Sequence, residues 1–487
     1  MLTKTRARIA LGAALALAVA LRFSTLRLQS YWFDEADTAL LVKGSFGHML
    51  HLLPDTEASP PLYYVIAWLW ARLFGTGEVA LRALSALCGS GVVVVIYLIG
   101  RRIAGVAAGL SAALLAAVAP FLVWFSQEAR DYSLMTLLVA LALLAFVRLQ
   151  QEQEPNGRAL AGWTVWSGLA LATHYFAALF LAPMAVWLVV TQRRQRRAIA
   201  ASLGALAVVA AALAPLALHQ HNHARQAILG GFARRLVQLP KQLLVGYHSP
   251  GDRVLAVLSA VLMIAALGWL LRSAAVRERA AGLVAVLIGA LLIIAVLAAV
   301  GLDYLDSRNM IAMTVPLLAL AGIGFAAGGR PGGIAGAAMA AIGLLVVVTV
   351  DTTPTAQRDD WRGAMNALGA AAPSTARAIV VTPGQGSAPI SIYLSHVKSL
   401  TAAAASVSEI DLVGMASRGS GETPVPPAAS PAVPMLGGSF VLVEAKRAPL
   451  YTLERFRSKN PHTVATTTLA NARLSPTVPL VYLQSGR

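Results

Sequence analysis

The chain is 487 residues long, 57% hydrophobic and 13% charged, with a net charge of +17. Together with a mean hydropathy of +0.68, this excludes an ordinary soluble globular protein, in which about a quarter of residues are charged. Nucleic-acid binding would gather the basic residues on one face or arm, whereas here they sit in short clusters between apolar runs, as membrane topology requires. No nucleic-acid partner is expected.

In chain order, apolar runs occur at 9–28, 79–100, 105–125, 132–148, 160–174, 176–191, 198–218, 254–272, 280–300, 309–328 and 332–350, with a shorter one at 61–75. Many reach roughly 17 to 22 residues, enough to carry a helix across about 30 Å of hydrocarbon. A barrel is excluded because barrel strands alternate apolar and polar residues over about ten positions. The expected fold is an all-α polytopic membrane protein of about 11 to 12 transmembrane helices.

With Lys4, Arg6 and Arg8 in the cytoplasm, the positive-inside rule puts Arg101, Arg102, Arg148, Arg158, the clusters 193–197 and 272–279, and Arg330 there too, provided that 61–75 does not cross fully. The protein is then a multi-pass component of the cell membrane, with its amino terminus cytoplasmic and everything after Val350 outside. The opening run also carries features of a secretory signal, with Ala18-Val19-Ala20 as a cleavage site, although an uncleaved anchor is the favoured reading. Both fates leave 30–60 outside. The lone Cys88 permits no intramolecular disulfide.

From Asp351 the composition shifts to Thr, Pro, Ser and Gly, and no later run is long enough to span. Residues 351–487 are expected to form a small extracytoplasmic α/β domain, distinct from the transmembrane domain at 1–350. An amphipathic helix is expected near 360–368, strands near 378–382, 439–444 and 478–484, and an extended loop at 417–437. The sequence carries no convincing internal repeat, which weakens a transporter built from repeated halves.

Chemistry-bearing residues gather at the outer ends of the expected spans. The first outer loop, 30–60, carries Asp34, Glu35, Asp37, Asp55 and Glu57 beside Tyr31, Trp32 and Phe33. One reading is an interfacial aromatic belt with solvated acids. The other is an acid–base site, because adjacent carboxylates beside a low-dielectric surface acquire pKa values suited to proton transfer. In Ser126-Gln127-Glu128-Ala129-Arg130-Asp131-Tyr132, Asp131 suits a helix N-cap. Glu128 and Arg130 are harder to assign to packing, because ionised groups at a membrane border are costly unless paired, hydrated or functional.

His174 and Tyr175 mark a turn between two apolar runs, as interfacial packing or as a site. The stretch Asp303-Tyr304-Leu305-Asp306-Ser307-Arg308 reads as another outer turn. His219, His221 and His223 lie close together but lack an obvious acidic or cysteine partner, so no metal site is assigned and no cofactor is required.

The ordered set Trp32-Phe33-Asp34-Glu35, Ser59-Pro60-Pro61-Leu62-Tyr63-Tyr64, Arg82-Ala83-Leu84-Ser85, Gln127 to Ser133, Thr173-His174-Tyr175, Ser307-Arg308 and Asp360-Trp361-Arg362 resembles the GT-C superfamily of membrane glycosyltransferases. It is most similar to the bacterial relatives of protein O-mannosyltransferases and of lipid A aminoarabinose transferase. Relatives often have Lys or His at the position of Ser59 and Tyr at that of Asn309.

The resemblance implies inverting transfer of a sugar from a polyprenyl-phosphate donor to a hydroxyl of a glycan, lipid or protein acceptor on the outer face, among membrane lipid. It implies Asp34 as general base with Glu35 beside it, and Arg82, Arg130 and Arg308 as ligands of the donor phosphate. Tyr63, Glu128, His174 and Tyr175 would position the substrates. Two competing readings are a transporter or flippase of a lipid-linked sugar and a non-catalytic membrane scaffold.

Overall fold

The computed structural model describes residues 3–152, 156–223, 231–247, 249, 251–372, 375–416, 425–427, 436 and 438–485. Two compact units emerge: a membrane unit of Met1–Leu26 and Leu41–Thr349, and a C-terminal unit that joins Arg27–Leu40 to Val350–Arg487.

The membrane unit is helical, and the protein is a multi-span membrane protein. Among the described residues, six helices are long and apolar enough to cross a bilayer: Glu78–Ala104, Tyr132–Gln151, Arg193–His221, Asp252–Leu271, Ala274–Ala299 and Gly329–Thr352. The bent pair Val106–Val118 and Pro120–Ser126 makes a seventh if counted as one span. This is fewer than the apolar runs suggested, because the runs conceal breaks. Short 3-10 turns at Tyr175–Ala177 and Ile311–Met313 use up part of two runs. The Leu62–Phe74 helix has 13 residues, about 20 Å at 1.5 Å per residue, too short to cross.

Pro120 causes the 57° bend in the broken pair. Proline has no N–H to offer the preceding turn, so carbonyls near the break lose their helical donors. Arg22, fully buried in the Lys4–Phe23 helix, supplies replacements. Its guanidinium donates to Ala116 O at 3.0 Å, Ala117 O at 2.9 Å and Ala18 O at 3.1 Å, and its Nε to Ser126 Oγ at 3.2 Å. Close helix approach is secured by small residues: a Cβ on Gly322 would collide with the Ala112 backbone. Gly105, with φ of +87°, makes the turn between the Glu78–Ala104 and Val106–Val118 helices.

The C-terminal unit contains a six-stranded mixed sheet: β1 Ala376–Thr382, β2 Val397–Ser399, β3 Ala404–Met415, β4 Val441–Arg447, β5 Tyr451–Ala465 and β6 Leu480–Ser485. Their order is β2-β6-β1-β3-β5-β4, with β1 parallel to β3 and the other pairs antiparallel. Alternation along β1 sends Ile379 and Val381 to one face, where they pack with Trp361, Met365 and Leu368 of the Trp361–Leu368 helix, and Ala378 and Val380 to the other, beside Phe440, Phe456 and Leu469.

The expected helix and three strands fall on the Trp361–Leu368 helix, β1, β4 and β6. The long β3 and β5 were not anticipated. Most of the expected 417–437 loop lies outside the described residues. Where the Trp361–Leu368 helix ends, Arg377 and Arg455 both donate to Leu368 O, at 3.2 and 2.6 Å, and both pair with the fully buried Asp411, at 3.2 and 2.9 Å.

Candidate functional site

Of the residues singled out in the sequence, Asp34 and Glu35 fall in the C-terminal unit, and Tyr63, Arg82, Glu128, Arg130, His174, Tyr175 and Arg308 in the membrane unit.

Asp34 and Glu35 occupy the first turn of the Phe33–Lys43 helix, where the positive end of the helix dipole favours carboxylates. Successive helical residues point about 100° apart, so the two acids meet different surroundings: Glu35 is fully buried and Asp34 half-buried. Thr38 Oγ1 donates to Asp34 O at 3.1 Å within the same helix. Trp32 and Phe33 meet edge to face with ring centroids 4.5 Å apart.

In the membrane unit, Glu57 and Arg130 form a salt bridge of 2.7 Å with side chains 3% and 8% exposed, and Tyr64 OH donates to the same Glu57 oxygen at 2.7 Å. Glu57, only one of several acids in its loop by sequence, thus anchors Arg130. Arg82 is buried and donates to Leu26 O at 2.9 Å. Ser85 Oγ donates to Arg130 O at 3.2 Å, and the buried Tyr63 lies under the influence of Ser85, Arg130 and Asp131.

The Gln127-to-Ser133 stretch divides its work. Gln127 Nε2 donates to Leu21 O at 2.8 Å and Thr25 Oγ1 at 2.6 Å, and Ser133 Oγ to Phe125 O at 3.0 Å, so both residues hold backbone together. Glu128 is buried. Asp131 precedes the Tyr132–Gln151 helix but its side chain makes no capping bond. It is fully buried, and neither carboxylate oxygen has a hydrogen-bond partner among the described residues. The capping explanation for Asp131 is therefore withdrawn. A buried carboxylate without donors is costly, and the charge of Asp131 acts on Tyr63, Tyr132 and His174.

His174 ends the Gly157–Thr173 helix, its Nδ1 accepting from Phe176 N at 3.2 Å and its ring 5.6 Å from that of Tyr132. Its ring lies within reach of the charges of Asp131, Arg130 and Arg308. Tyr175 OH donates to Gln220 Oε1 at 2.8 Å, and Gln220 Nε2 to Ser59 O at 3.2 Å, so one buried amide joins two of the singled-out segments.

The 303–309 turn is pinned from several sides. Arg235 donates to Leu305 O at 2.9 Å and pairs with Asp303, Ser307 Oγ donates to Tyr247 OH at 3.0 Å, and Tyr304 OH meets His221 Nδ1 at 2.9 Å. Arg308 pairs with Asp306 at 3.1 Å and its side chain is 31% exposed. Its charge acts on Tyr132, His174 and Tyr247. His219 pairs with Asp55 at 2.7 Å, and the side chain of His223 lies outside the described residues.

The membrane unit thus gathers Glu57, Tyr63, Glu128, Arg130, Asp131, His174 and Arg308 into one polar constellation at the ends of apolar helices. Glu57 and Gln220 were not assigned a role from sequence, and Asp131 only that of a helix cap. Gln220 carried no local signal at all.

Residues 58–219 match the profile of the family described as dolichyl-phosphate-mannose-protein mannosyltransferase, and the resemblance to GT-C glycosyltransferases drawn from the motifs is borne out there. No curated protein matches by sequence. Among solved structures, ArnT from Cupriavidus metallidurans in the apo state is similar at a TM-score of 0.44 and 17% identity, over 65% of this chain and 59% of that one. The same protein bound to undecaprenyl phosphate gives 0.44 and 16%, over 73% and 62%. The oligosaccharyltransferase AglB from Archaeoglobus fulgidus, in complex with an inhibitory peptide and a dolichol-phosphate, gives 0.46 and 13%, over 74% and 57%. The chain spans less than two thirds of the length of each.

Proposed function

We propose that this chain is an integral membrane glycosyltransferase that moves a sugar from a polyprenyl-phosphate carrier to an acceptor hydroxyl on the extracytoplasmic face, with inversion at the anomeric carbon. The observation that carries it is the constellation of the buried Arg130, Asp131 and His174 with the partly exposed Arg308. Ionisable groups at the ends of membrane helices are expensive, and Asp131 has no hydrogen-bond partner among the described residues. That cost marks a site that receives a polar ligand. The family match over 58–219 supports a lipid-phosphate sugar as that ligand.

In the proposed reaction, Asp34 accepts the proton of the acceptor hydroxyl. The oxygen attacks the anomeric carbon from the face opposite the phosphate, and the bond between that carbon and the phosphate oxygen breaks. The electron pair leaves on polyprenyl phosphate. Half-burial of Asp34 against full burial of Glu35 favours Asp34 as the base and Glu35 as its fixed neighbour.

Arg308, partly exposed beside Asp306, binds the departing phosphate, which a guanidinium grips through several directed donors. Arg130, held by Glu57, and Arg82, engaged with Leu26 O, contribute charge from fixed positions. Tyr63, Glu128, His174 and Tyr175 orient donor and acceptor.

The test is Asp34→Asn in reconstituted membranes supplied with lipid-linked sugars. Transfer falls by at least about a hundredfold, while insertion and donor binding persist. Near-normal turnover of the variant overturns Asp34 as base. Movement of intact donor lipid across the bilayer without a new glycosidic product would instead favour a flippase.

A further inference from the structure

The C-terminal unit contains the segment that carries Asp34, and the way it holds that segment points to a role for the domain. Every residue from Arg27 to Tyr31 is tied to residues 358–393. Arg362 Nη2 donates to Arg27 O at 2.9 Å and to Leu28 O at 3.1 Å. Gln29 Oε1 accepts from Arg358 N at 2.8 Å, and Ser30 Oγ donates to Asp359 O at 2.8 Å. Tyr31 N donates to Tyr393 OH at 2.7 Å.

Gln29, Ser30 and Tyr31 are buried, so their backbone groups depend on protein partners rather than water. The partners stand on rigid elements. Asp360 caps the Trp361–Leu368 helix by accepting from Gly363 N at 2.9 Å, and Trp361 fills the core beneath it. Tyr393 ends the Ser387–Tyr393 helix, which packs on the same face of the sheet. The Asp360-Trp361-Arg362 motif therefore comprises a cap, a core residue and a clamp. Two residues beyond Tyr31, the Phe33–Lys43 helix begins, with Asp34 in its first turn.

We propose that the C-terminal domain sets the position of the Asp34 carboxylate, with Tyr393 and Arg362 as positioning residues. The inference rests on the glycosyl-transfer reading for its kinetic consequence but not for its structural one. Held from 27 to 31 and followed at once by a helix, the carboxylate cannot drift, and a general base works only within hydrogen-bond reach of its proton.

Two measurements on the full-length protein in detergent or nanodiscs test this. The first is hydrogen exchange across 27–40 in Tyr393→Phe and Arg362→Gln. Exchange rises there and stays unchanged in the sheet strands β1, β3 and β5. The second is turnover with a lipid-linked sugar, in which kcat falls about ten- to hundredfold with the donor KM within about twofold. Arg362→Lys, which retains a donor for the two carbonyls, recovers part of the rate. Unchanged exchange at 27–40, or exchange that rises equally through the sheet, overturns the proposal, as does an unchanged kcat in an active enzyme. If the wild-type protein transfers no sugar, the glycosyl-transfer reading fails, and the exchange result still decides whether the domain holds the loop.

Discussion

Arg130 is a candidate site residue whose surroundings the sequence did not reveal. An arginine at a membrane border needs a reason to be there, and a salt bridge with Glu57, 73 residues away, supplies part of it. The pair is almost fully buried, so removing one partner leaves the other charged without compensation. Glu57→Gln and Arg130→Gln should each destabilise the protein by about 3–5 kcal/mol, read as a lowered thermal midpoint in detergent. The double variant Glu57→Leu with Arg130→Met should recover much of that loss while remaining inactive. Additive losses in a cycle built from Glu57→Gln, Arg130→Gln and the variant combining those two substitutions would show that the pair does not couple. Asp131 teaches the reverse: its position in sequence suits a cap, and only the absence of a capping bond in space frees it for another role.

Among the elements, the broken helix around Pro120 is the most informative. The run 105–125 reads as one span by hydrophobicity, and Pro120 signals a break without telling what stabilises the exposed carbonyls. Arg22 does, from about a hundred residues away in sequence. Arg22→Met keeps the length of the side chain and removes all its donors, so it should cost on the order of 3 kcal/mol, measured as a fall in thermal midpoint. Arg22→Lys should recover part of that loss. An unaffected midpoint in Arg22→Met would mean that the break needs no external donor. The same logic explains why apolar runs outnumber the six helices of spanning length among the described residues: hydrophobicity measures how much chain prefers lipid, not whether that chain forms one long helix.

For the molecule as a whole, the grouping of Arg27–Leu40 with residues beyond Val350 joins parts of the chain separated by more than three hundred positions. The stability of the C-terminal unit then bears on the Asp34 helix. Its buried charges are the weak point. Asp411 sits between Arg377 and Arg455 with no exposed surface, so Asp411→Asn should destabilise the unit by about 3–5 kcal/mol. Limited proteolysis should then cleave β3 and β5 at lower temperature than in the wild type. Equal protease resistance would show that the two guanidinium groups find other acceptors, such as Glu409 and Leu368 O.

The sequence by itself determined the membrane class, the helical character, the outline of a separate C-terminal α/β portion and the residue types of the candidate site. These follow from local composition, periodicity and ordered motifs, which need no knowledge of what packs against what. It placed Asp34, Arg130, His174 and Arg308 among the candidates because charged and polar residues stand out against apolar runs. Tertiary structure alone decided which charges are paired, as with Glu57 and Arg130, and which lack partners among the described residues, as with Asp131. It also decided that Gln220 bridges Tyr175 and Ser59, and that Tyr393 and Arg362 hold the segment before Asp34. Pairing depends on proximity between residues far apart in the chain, and a single sequence records the order of residues but not their distances.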